Sequence, residues 1–349
     1  MNGRFRMLGE EGMATFDVSI EAGMLSRSPV DEASDRLLVP GFVDIHIHGA
    51  FGIDFMSASP DQMVEMADRL GEVGYEAFFP TTVSASPEAV AAALRNLPKD
   101  SRMPGVHLEG PFISPQYPGA QPPEAIRDFE GPTGAWRPIL NDPRLNVMTL
   151  APERDAARSL IEDFARRGGV VSMGHTNATY AEAEQGYRWG VRHATHTFNA
   201  MRGLHHREAG ALGFALLEDG IACELIYDRL HVSKEAAALL FRCKPKDKVI
   251  AVSDGTMASG LASGEKLSMW GHDVETRGGG VYLAGTDTLA GSAITLLDAF
   301  RNLAEDFGEE TAIRACCLNP RSASSIGTEP RVWLEFDPHL SIVQIHRTG

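Results

Sequence analysis

The strongest constraint on the fold of this 349-residue chain is a strand-then-helix unit that recurs from residue 42 to residue 253. The predicted strands are short apolar runs at Phe42–His46, Ala77–Thr82, Gly105–Glu109, Asn146–Leu150, Val170–Met173, His193–His196, Ile221–Ile226 and Val249–Ser253. Helical patterns lie between several of them, at Pro60–Val73, Pro87–Asn96, Arg154–Arg167, Tyr180–Trp189 and Ser233–Phe241. Alternating β and α units predict a parallel sheet, and eight of them predict closure into an α/β fold, the (β/α)8 TIM-like barrel.

Both flanks of these units predict smaller β structures. The first forty residues alternate weakly, which favours short strands and turns over helices. Strand-like runs around Gly278-Gly279-Gly280 predict a β-hairpin insertion near 262–285. Two helices, Ser292–Phe307 and Glu309–Leu318, and two strands, Arg331–Phe336 and Ser341–His346, are then predicted. We therefore expect a barrel over 41–325, with 1–40 and 326–349 forming one small β module.

Composition narrows the classes of partner and compartment. Lysine plus arginine number 32 and aspartate plus glutamate 47, so the net charge is −15 at pH 7. A chain this acidic repels phosphate backbones and anionic lipids, which argues against nucleic acid or a membrane as partner. The N-terminal ten residues lack an apolar signal core, and no run reaches the ~18 apolar residues of a membrane span. The four cysteines include no CxxC pair. Together with the missing signal core and membrane span, they predict a cytoplasmic protein.

Several histidines and acidic residues fall where the predicted strands end. His46 and His48 are two residues apart, so their side chains point to the same side of a strand. Further polar residues end the third, fifth, sixth and eighth strands, namely Glu109, His175, His196 and Asp254. Catalytic residues of (β/α)8 barrels lie at the carboxyl ends of strands. The barrel topology therefore predicts that four imidazoles and two carboxylates converge at one rim.

Each of these residues has a simpler interpretation when it is taken alone. A His-x-His pair occurs by chance on surface strands, and Asp254-Gly255 is a common turn pair. The convergence of all six favours a divalent metal site. Their number exceeds the three protein ligands usual for one catalytic zinc, which predicts two ions per subunit. Zinc is favoured, with iron, manganese and cobalt as alternatives, and Asp254 is the candidate base.

The motifs that carry these residues resemble the amidohydrolase superfamily, and within it the N-acetylglucosamine-6-phosphate deacetylases. The superfamily pattern is Pro40-Gly41-Phe42-Val43-Asp44-Ile45-His46-Ile47-His48-Gly49. More specific to the deacetylases are His107-Leu108-Glu109-Gly110-Pro111-Phe112, Gly174-His175-Thr176 and His196-Thr197-Phe198-Asn199-Ala200-Met201. The matching order of segments runs from residue 40 to about residue 295, which is most of the chain.

The resemblance implies a role for each matching position. Glu109, His175 and His196 match the principal metal ligands, His46 and His48 match the ligands of a second metal, and Asp254 matches the catalytic acid/base. The positions that match sugar-phosphate contacts are Ala120, Asn199, Ala200, Arg207, His231, Leu289, Ala290 and Gly291. In that family Arg207 would reach the site from the neighbouring subunit of a homodimer. A guanidinium also suits bidentate phosphate binding, although Arg207 could equally pair with Glu208 on the surface.

Four positions depart from the family pattern, beginning with Pro118, which stands where the family usually has a lysine. Gln121 stands where the family has a histidine that polarises the substrate carbonyl, a task that a second metal could take over. Arg229 replaces a glycine, which predicts added phosphate affinity or a changed sugar preference, and Ala209 replaces a proline. Among the other histidines, we expect His107 to orient Glu109 and His193 to be structural.

The sequence thus predicts a metal-dependent deacetylase of N-acetylglucosamine 6-phosphate. One alternative is the same reaction on N-acetylgalactosamine 6-phosphate or another N-acyl amino sugar, which the departures at Gln121 and Arg229 motivate. A second alternative is a sugar-phosphate sensor without catalysis. The complete ligand set and Asp254 argue against a sensor, since binding alone needs no acid/base.

Overall fold

The computed structural model describes residues 1–21, 24–131, 134–324, 326–327 and 329–348. Its strands are β1 (Asn2–Gly9), β2 (Gly12–Glu21), β3 (Met24–Pro29), β4 (Leu37–Pro40), β5 (Phe42–Ile47), β6 (Gly49–Ala50), β7 (Ile53–Asp54), β8 (Tyr75–Pro80), β9 (Val106–Glu109), β10 (Leu145–Leu150), β11 (Val170–Met173), β12 (Val191–Ala194), β13 (Ala222–Ile226), β14 (Val249–Val252), β15 (Lys266–Met269), β16 (His272–Arg277), β17 (Gly280–Leu283), β18 (Leu289–Ser292), β19 (Val332–Phe336) and β20 (Ile342–Arg347). Its α-helices are α1 (Pro60–Glu72), α2 (Pro87–Asn96), α3 (Trp136–Leu140), α4 (Ala157–Arg166), α5 (Tyr180–Trp189), α6 (Gly210–Leu217), α7 (Lys234–Cys243), α8 (Leu296–Phe307), α9 (Glu309–Ile313) and α10 (Asn319–Ser324). A 3₁₀ turn lies at Pro123–Ala125 and a π-helical turn at Arg314–Leu318.

The predicted parallel strands are confirmed, with boundaries that move by one or two residues. Strands β9 to β14 pair in chain order as one six-stranded parallel sheet, and β5 pairs with β8 in parallel. A parallel bridge between Thr81 and His107 joins the end of β8 to β9. On the other side, a bridge joins Ile47 to Gly255, and the Asp254 amide donates to the His46 carbonyl at 2.9 Å. The carboxyl ends of all these strands therefore lie at one edge.

A separate six-stranded sheet combines the two ends of the chain in the order β20-β19-β4-β1-β2-β3. Strand β4 is its junction, because it pairs in parallel with β1 and antiparallel with β19. Strand β4 leads directly through Gly41 into β5, where His46 lies. Phe5, Phe16, Leu38 and Trp333 are among the residues that form the apolar cluster on this sheet.

Local sequence explains where the connecting helices begin. Helix α1 follows a capping box in which Ser59 and Gln62 satisfy each other's backbone amides, and Thr179 and Glu182 do the same for α5. The buried face of α1 consists of Met63, Met66, Ala67, Leu70 and Gly71, at the three- and four-residue spacing of an amphipathic helix. These faces pack on the parallel strands and hold them in register.

Part of the segment after residue 254 differs from the prediction. The expected hairpin near 262–285 is the core of a four-stranded antiparallel sheet, β15-β16-β17-β18, whose last strand continues to Ser292. The helix expected from Ser292 therefore begins only at Leu296. The four residues of β18 carry no strand signal of their own, and Gly291 adopts a positive φ of 76° there. Their extended form is set by pairing with β17.

Three helices were not predicted from the sequence: α3, α6 and α10, the last of which directly follows the π-helical turn that ends at Leu318. Helix α6 is apolar on every side and buried over Gly210–Leu216, so it lacks the periodic pattern that reveals a surface helix. Helix α3 is only five residues long. None of the helices in the described part of the chain combines the length and the hydrophobicity that a membrane span requires.

Candidate metal centre and active site

The six predicted metal-site residues meet at the carboxyl ends of the parallel strands. His46 lies within β5, His48 directly follows that strand, and Glu109 is the last residue of β9. His175, His196 and Asp254 each come two residues after their strands, with φ values of 47°, 28° and 46°. A non-glycine residue in this left-handed region costs on the order of 1 kcal/mol or more, and such strain clusters at functional sites. The turns that aim these side chains inward are therefore held by the surrounding structure.

Glu109 stands at the centre of this cluster. Its Oε1 atom lies 3.2 Å from the Nε2 atoms of both His175 and His196, and 3.5 Å from Nε2 of His46. Its Oε2 atom lies 3.4 Å from Nε2 of His48. Asp254 approaches from the other side, with Oδ1 at 3.3 Å from Nε2 of His46 and 3.2 Å from Nε2 of His48. Two donor groups result, one formed by Glu109, His175 and His196, the other by His46, His48 and Asp254.

The hydrogen bonds behind the four imidazoles show that both donor groups fit a metal ion. The Nδ1 atoms face groups that can only accept a proton: Glu224 Oε2 behind His46, and the carbonyls of Thr81, Tyr117 and Asn199 behind His48, His175 and His196. Each Nδ1 therefore carries a proton and each Nε2 faces inward, where it offers its lone pair to a metal ion once the ring is neutral. Facing Nε2 atoms are 3.3 Å apart in one group and 3.1 Å in the other. A cation between them resolves the repulsion of these lone pairs.

The charges of the cluster lead to the same conclusion. Burial lowers the pKa of the imidazoles, but Asp254 and Glu109 outweigh burial and raise the pKa of His48 to about 9. Burial would raise the pKa of Asp254, yet the neighbouring histidines, His46 foremost, lower it to about 2. The Glu109 pKa lies well below its usual range for a similar reason. Two buried ionised carboxylates require positive charge close by, which protonated imidazoles provide and which divalent ions would provide in their place.

A cavity of about 160 Å³ opens onto the cluster. Six of the predicted substrate contacts and five of the six cluster residues line it: Ala120, Asn199, Ala200, His231, Leu289, Gly291, His48, Glu109, His175, His196 and Asp254. Two predicted contacts do not line it. Ala290 points into the apolar cluster of the β15–β18 sheet, and Arg207 is exposed, with Nη1 2.7 Å from His206 Nε2. No lysine or arginine is found among the lining residues in the described ranges.

Two of the lining residues offer polar groups to a ligand. The Nδ2 atom of Asn199 is shielded from solvent and has no acceptor within the described residues. An amide left in this state calls for a partner in the cavity. His231 directs Nδ1 to Asp228 Oδ2 at 2.6 Å, which leaves Nε2 for a ligand.

The structure changes the interpretation of two other polar residues, Arg229 and His107. Arg229 does not face the cavity, because its guanidinium pairs with Asp306 and Glu305 of α8 at 2.7 and 2.8 Å. Its φ of 65° is the conformation that favours glycine, the residue of the family pattern. His107 does not contact Glu109, since its ring nitrogens bond Ile45 O and Thr149 Oγ1.

Two residues near the site, Trp270 and Glu224, were missed as functional candidates, and the structure gives Gln121 a role that differs from the one considered for it. Gln121 is buried, and its Nε2 donates to Glu109 Oε2 at 2.5 Å while its Oε1 accepts from the Ser84 amide. Trp270 lines the cavity beside His48, with ring centroids 5.0 Å apart. Glu224 lies beneath His46 on β13. Of the two missed residues, only Glu224 had a sequence signal, as a lone acidic residue in the apolar run Ile221–Ile226.

Comparison with known proteins agrees with this fold and site. The amidohydrolase family model matches residues 37–329. A Bacillus subtilis N-acetylglucosamine-6-phosphate deacetylase is 36% identical over 79% of this chain and 72% of its own length. An Escherichia coli N-acetylgalactosamine-6-phosphate deacetylase is 32% identical over 90% of this chain and 87% of its own. The crystal structure of a Thermotoga maritima N-acetylglucosamine-6-phosphate deacetylase is 30% identical, with a TM-score of 0.89 over 100% of this chain and 98% of that one.

A parallel sheet whose strand ends carry a cluster of histidines and carboxylates is the arrangement of a metal-dependent hydrolase. The chain belongs to the amidohydrolase family. Its curated relatives at this level of identity are deacetylases of phosphorylated amino sugars.

Proposed function

We propose that this protein is a metal-dependent hydrolase that converts N-acetylglucosamine 6-phosphate to glucosamine 6-phosphate and acetate. The proposal depends on one observation: the Nε2 atoms of four histidines and the carboxylates of Glu109 and Asp254 lie together at the cavity. The kinship with deacetylases of this substrate supports it.

We further propose that the eight parallel strands form a closed (β/α)8 barrel over 41–325, with 1–40 and 326–349 as a separate β module. The bridges from β8 to β9 and from Ile47 to Gly255 support closure.

Two divalent ions per chain fit the donor groups of this proposal. Glu109, His175 and His196 would hold one, and His46 and His48 the other. Zinc is favoured because imidazole nitrogens and carboxylate oxygens are its usual ligands. Such an ion polarises the amide carbonyl and lowers the pKa of water. All four cysteines are free thiols, which supports a cytoplasmic location for the protein.

The chain's own residues then bind the sugar and move the proton. Asp254, ionised at neutral pH because of its low pKa, accepts a proton from the attacking water. The same carboxyl returns that proton to the amide nitrogen as the C–N bond breaks, which releases acetate and the free amine. Asn199 Nδ2 is placed to donate a hydrogen bond to the substrate, and Leu289 and Gly291 form part of the wall with Ala120 and Ala200.

The substrate phosphate needs a cation that the cavity of this chain does not supply. The net charge is −15, and the cavity lining has no lysine or arginine among the described residues. We propose that a homodimer supplies Arg207 across its interface. Arg207→Ala should then raise KM for the phosphorylated sugar about 10–100-fold, the effect of losing charge-assisted hydrogen bonds, and leave the unphosphorylated sugar unaffected.

Hybrid dimers test whether Arg207 acts across the interface. Coexpressed Arg207→Ala and Asp254→Asn chains place one complete site in each mixed dimer. Random pairing makes half of the dimers mixed, so activity should recover to about a quarter of wild type. Activity no higher than that of the separate variants would show that Arg207 serves its own subunit or none.

The same site would also suit the galactose epimer, because one close relative is an N-acetylgalactosamine-6-phosphate deacetylase. Acetate release distinguishes the two candidate substrates. It is measured with both 6-phosphates and with unphosphorylated N-acetylglucosamine, using zinc-loaded and chelator-treated protein. We expect release from N-acetylglucosamine 6-phosphate that a chelator abolishes and zinc restores. A higher kcat/KM for the galactose epimer would reassign the substrate. Absence of release from any of them by protein shown to contain zinc would refute the deacetylase.

A further inference from the structure

Glu224 is a fully buried carboxylate beneath the metal centre, outside the two donor groups of the proposed function. It projects from β13, the strand next to the one that leads to His196. Its Oε2 atom lies 3.0 Å from Nδ1 of His46 and accepts the backbone amide of His196 at 3.3 Å. The Glu224 carbonyl accepts the next amide, from Thr197, at 2.8 Å. One residue therefore holds one ligand from each donor group.

The contact with His46 fixes which nitrogen of that ring can bind a metal. A carboxylate accepts the Nδ1 proton, so Nε2 keeps its lone pair and faces His48, Glu109 and Asp254. A carboxylate behind a metal-binding histidine also raises the basicity of the ring. The carbonyls behind His48, His175 and His196 orient those rings but carry no charge. His46 is thus the one histidine of the four whose Nδ1 faces an anionic group.

The charge of Glu224 has no other close compensation among the described residues. Its Oε2 atom accepts two hydrogen bonds, from Nδ1 of His46 and from the backbone amide of His196, as an ionised carboxylate does. Its second oxygen, Oε1, has no hydrogen-bond partner in the described ranges. The nearby ring of His107 makes no hydrogen bond to this carboxylate, because its two nitrogens bond Ile45 O and Thr149 Oγ1. A buried anion of this kind is stable when a cation lies on the far side of His46.

We propose that Glu224 is a positioning residue that sets the metal affinity of the His46–His48 site through the His46 ring. The inference rests on the proposed two-metal function and adds a residue that the ligand set does not contain. Glu224 is not a ligand of a third ion together with His46 and His107. His46 Nδ1 carries the proton of the 3.0 Å hydrogen bond, and both His107 nitrogens already have partners.

The test measures zinc affinity rather than turnover. Equilibrium dialysis of the full-length wild type and of Glu224→Gln against buffered zinc gives the dissociation constants of both ions. The glutamine keeps the shape and an oxygen acceptor for Nδ1 but removes the charge. We expect one of the two zinc ions to bind 10–100-fold more weakly, the usual effect of losing such a partner, and the other to bind as before. Glu224→Asp keeps the charge but is one methylene shorter. Its zinc affinity at the weakened site should lie between those of the wild type and Glu224→Gln.

A matched control separates this effect from general destabilisation. Glu335→Gln removes another buried carboxylate, which pairs with Arg36 in the terminal sheet, far from the metal centre. It should lower the unfolding temperature and leave both zinc affinities unchanged. If Glu224→Gln does not fold, Glu224→Asp carries the measurement.

The possible results distinguish this inference from the proposed function. Two unchanged zinc affinities in both Glu224 variants, or equal weakening of both ions, would overturn the positioning role and leave the hydrolase standing. A wild type that binds a single ion would also overturn it while allowing one-metal hydrolysis. A third zinc ion that disappears in Glu224→Gln would make Glu224 a ligand instead. A wild type that binds no zinc or other divalent ion would refute both proposals.

Discussion

Replacing Asp254 with asparagine should lower kcat for N-acetylglucosamine 6-phosphate by about 10²–10⁴-fold, the usual contribution of a general acid/base. The carboxylate Oδ1 lies 3.2–3.3 Å from the metal-facing nitrogens of His46 and His48, beside the point where water would attack. Asparagine keeps an oxygen at this position but cannot accept and return a proton. The variant should therefore bind zinc and substrate and fail in the chemical step.

Zinc content and kcat measured on the same preparation test this prediction. The matched control is Asp306→Asn in α8. Burial opposes the shift, but hydrogen bonds from Lys234, Tyr227 and Arg229 lower the pKa of Asp306 to about 2 as well. Asp306 does not line the cavity. The control should keep the wild-type kcat. Near-normal turnover by Asp254→Asn with two zinc ions bound would remove Asp254 from the proton transfer.

The order of strands and the place of the metal centre could be read from the sequence for a clear physical reason. Apolar runs separated by amphipathic helices allow few arrangements other than a parallel sheet, and the carboxyl ends of parallel strands share one edge. Knowing that Glu109 ends β9 and that Asp254 follows β14 was therefore enough to bring residues 145 positions apart together. No side-chain contact had to be known.

What the sequence did not reveal depends on partners distant along the chain. Arg229 was interpreted as a pocket residue, but its position follows from Asp306, 77 residues later. From the sequence, Gln121 is only the replacement of a family histidine. The structure shows that its buried side-chain amide bonds both Ser84 and Glu109. The left-handed turns at His175, His196 and Asp254 were also invisible, because these residue types give no local signal for a positive φ. Each of these features is decided by tertiary packing.

The second large effect concerns stability, and it arises where the terminal sheet meets the parallel strands. Glu76 on β8 binds both terminal nitrogens of Arg321 in α10, and its Oε2 accepts the backbone amides of Arg331 and Val332. The Arg321 side chain is 2% exposed and that of Glu76 is 9% exposed. Arg321 also donates to the carbonyl of Gly41, the residue that leads into the strand of His46. This ion pair therefore joins β8, the residue before β5 and the C-terminal residues 321–332, three segments of the chain that are distant from one another in sequence.

Glu76→Ala should lower the free energy of unfolding by about 3–5 kcal/mol, because it leaves a buried guanidinium without its anion. The double variant Glu76→Ala/Arg321→Met should recover part of this loss, since an apolar side chain does not need the missing partner. Denaturant unfolding of both variants gives the comparison. Glu65→Ala is the control, because Glu65 forms an exposed pair with Arg69 at 4.0 Å, and it should change stability by only about 0.5 kcal/mol. A single variant as stable as this control, or a double variant less stable than the single one, would show that the buried ion pair does not join these segments.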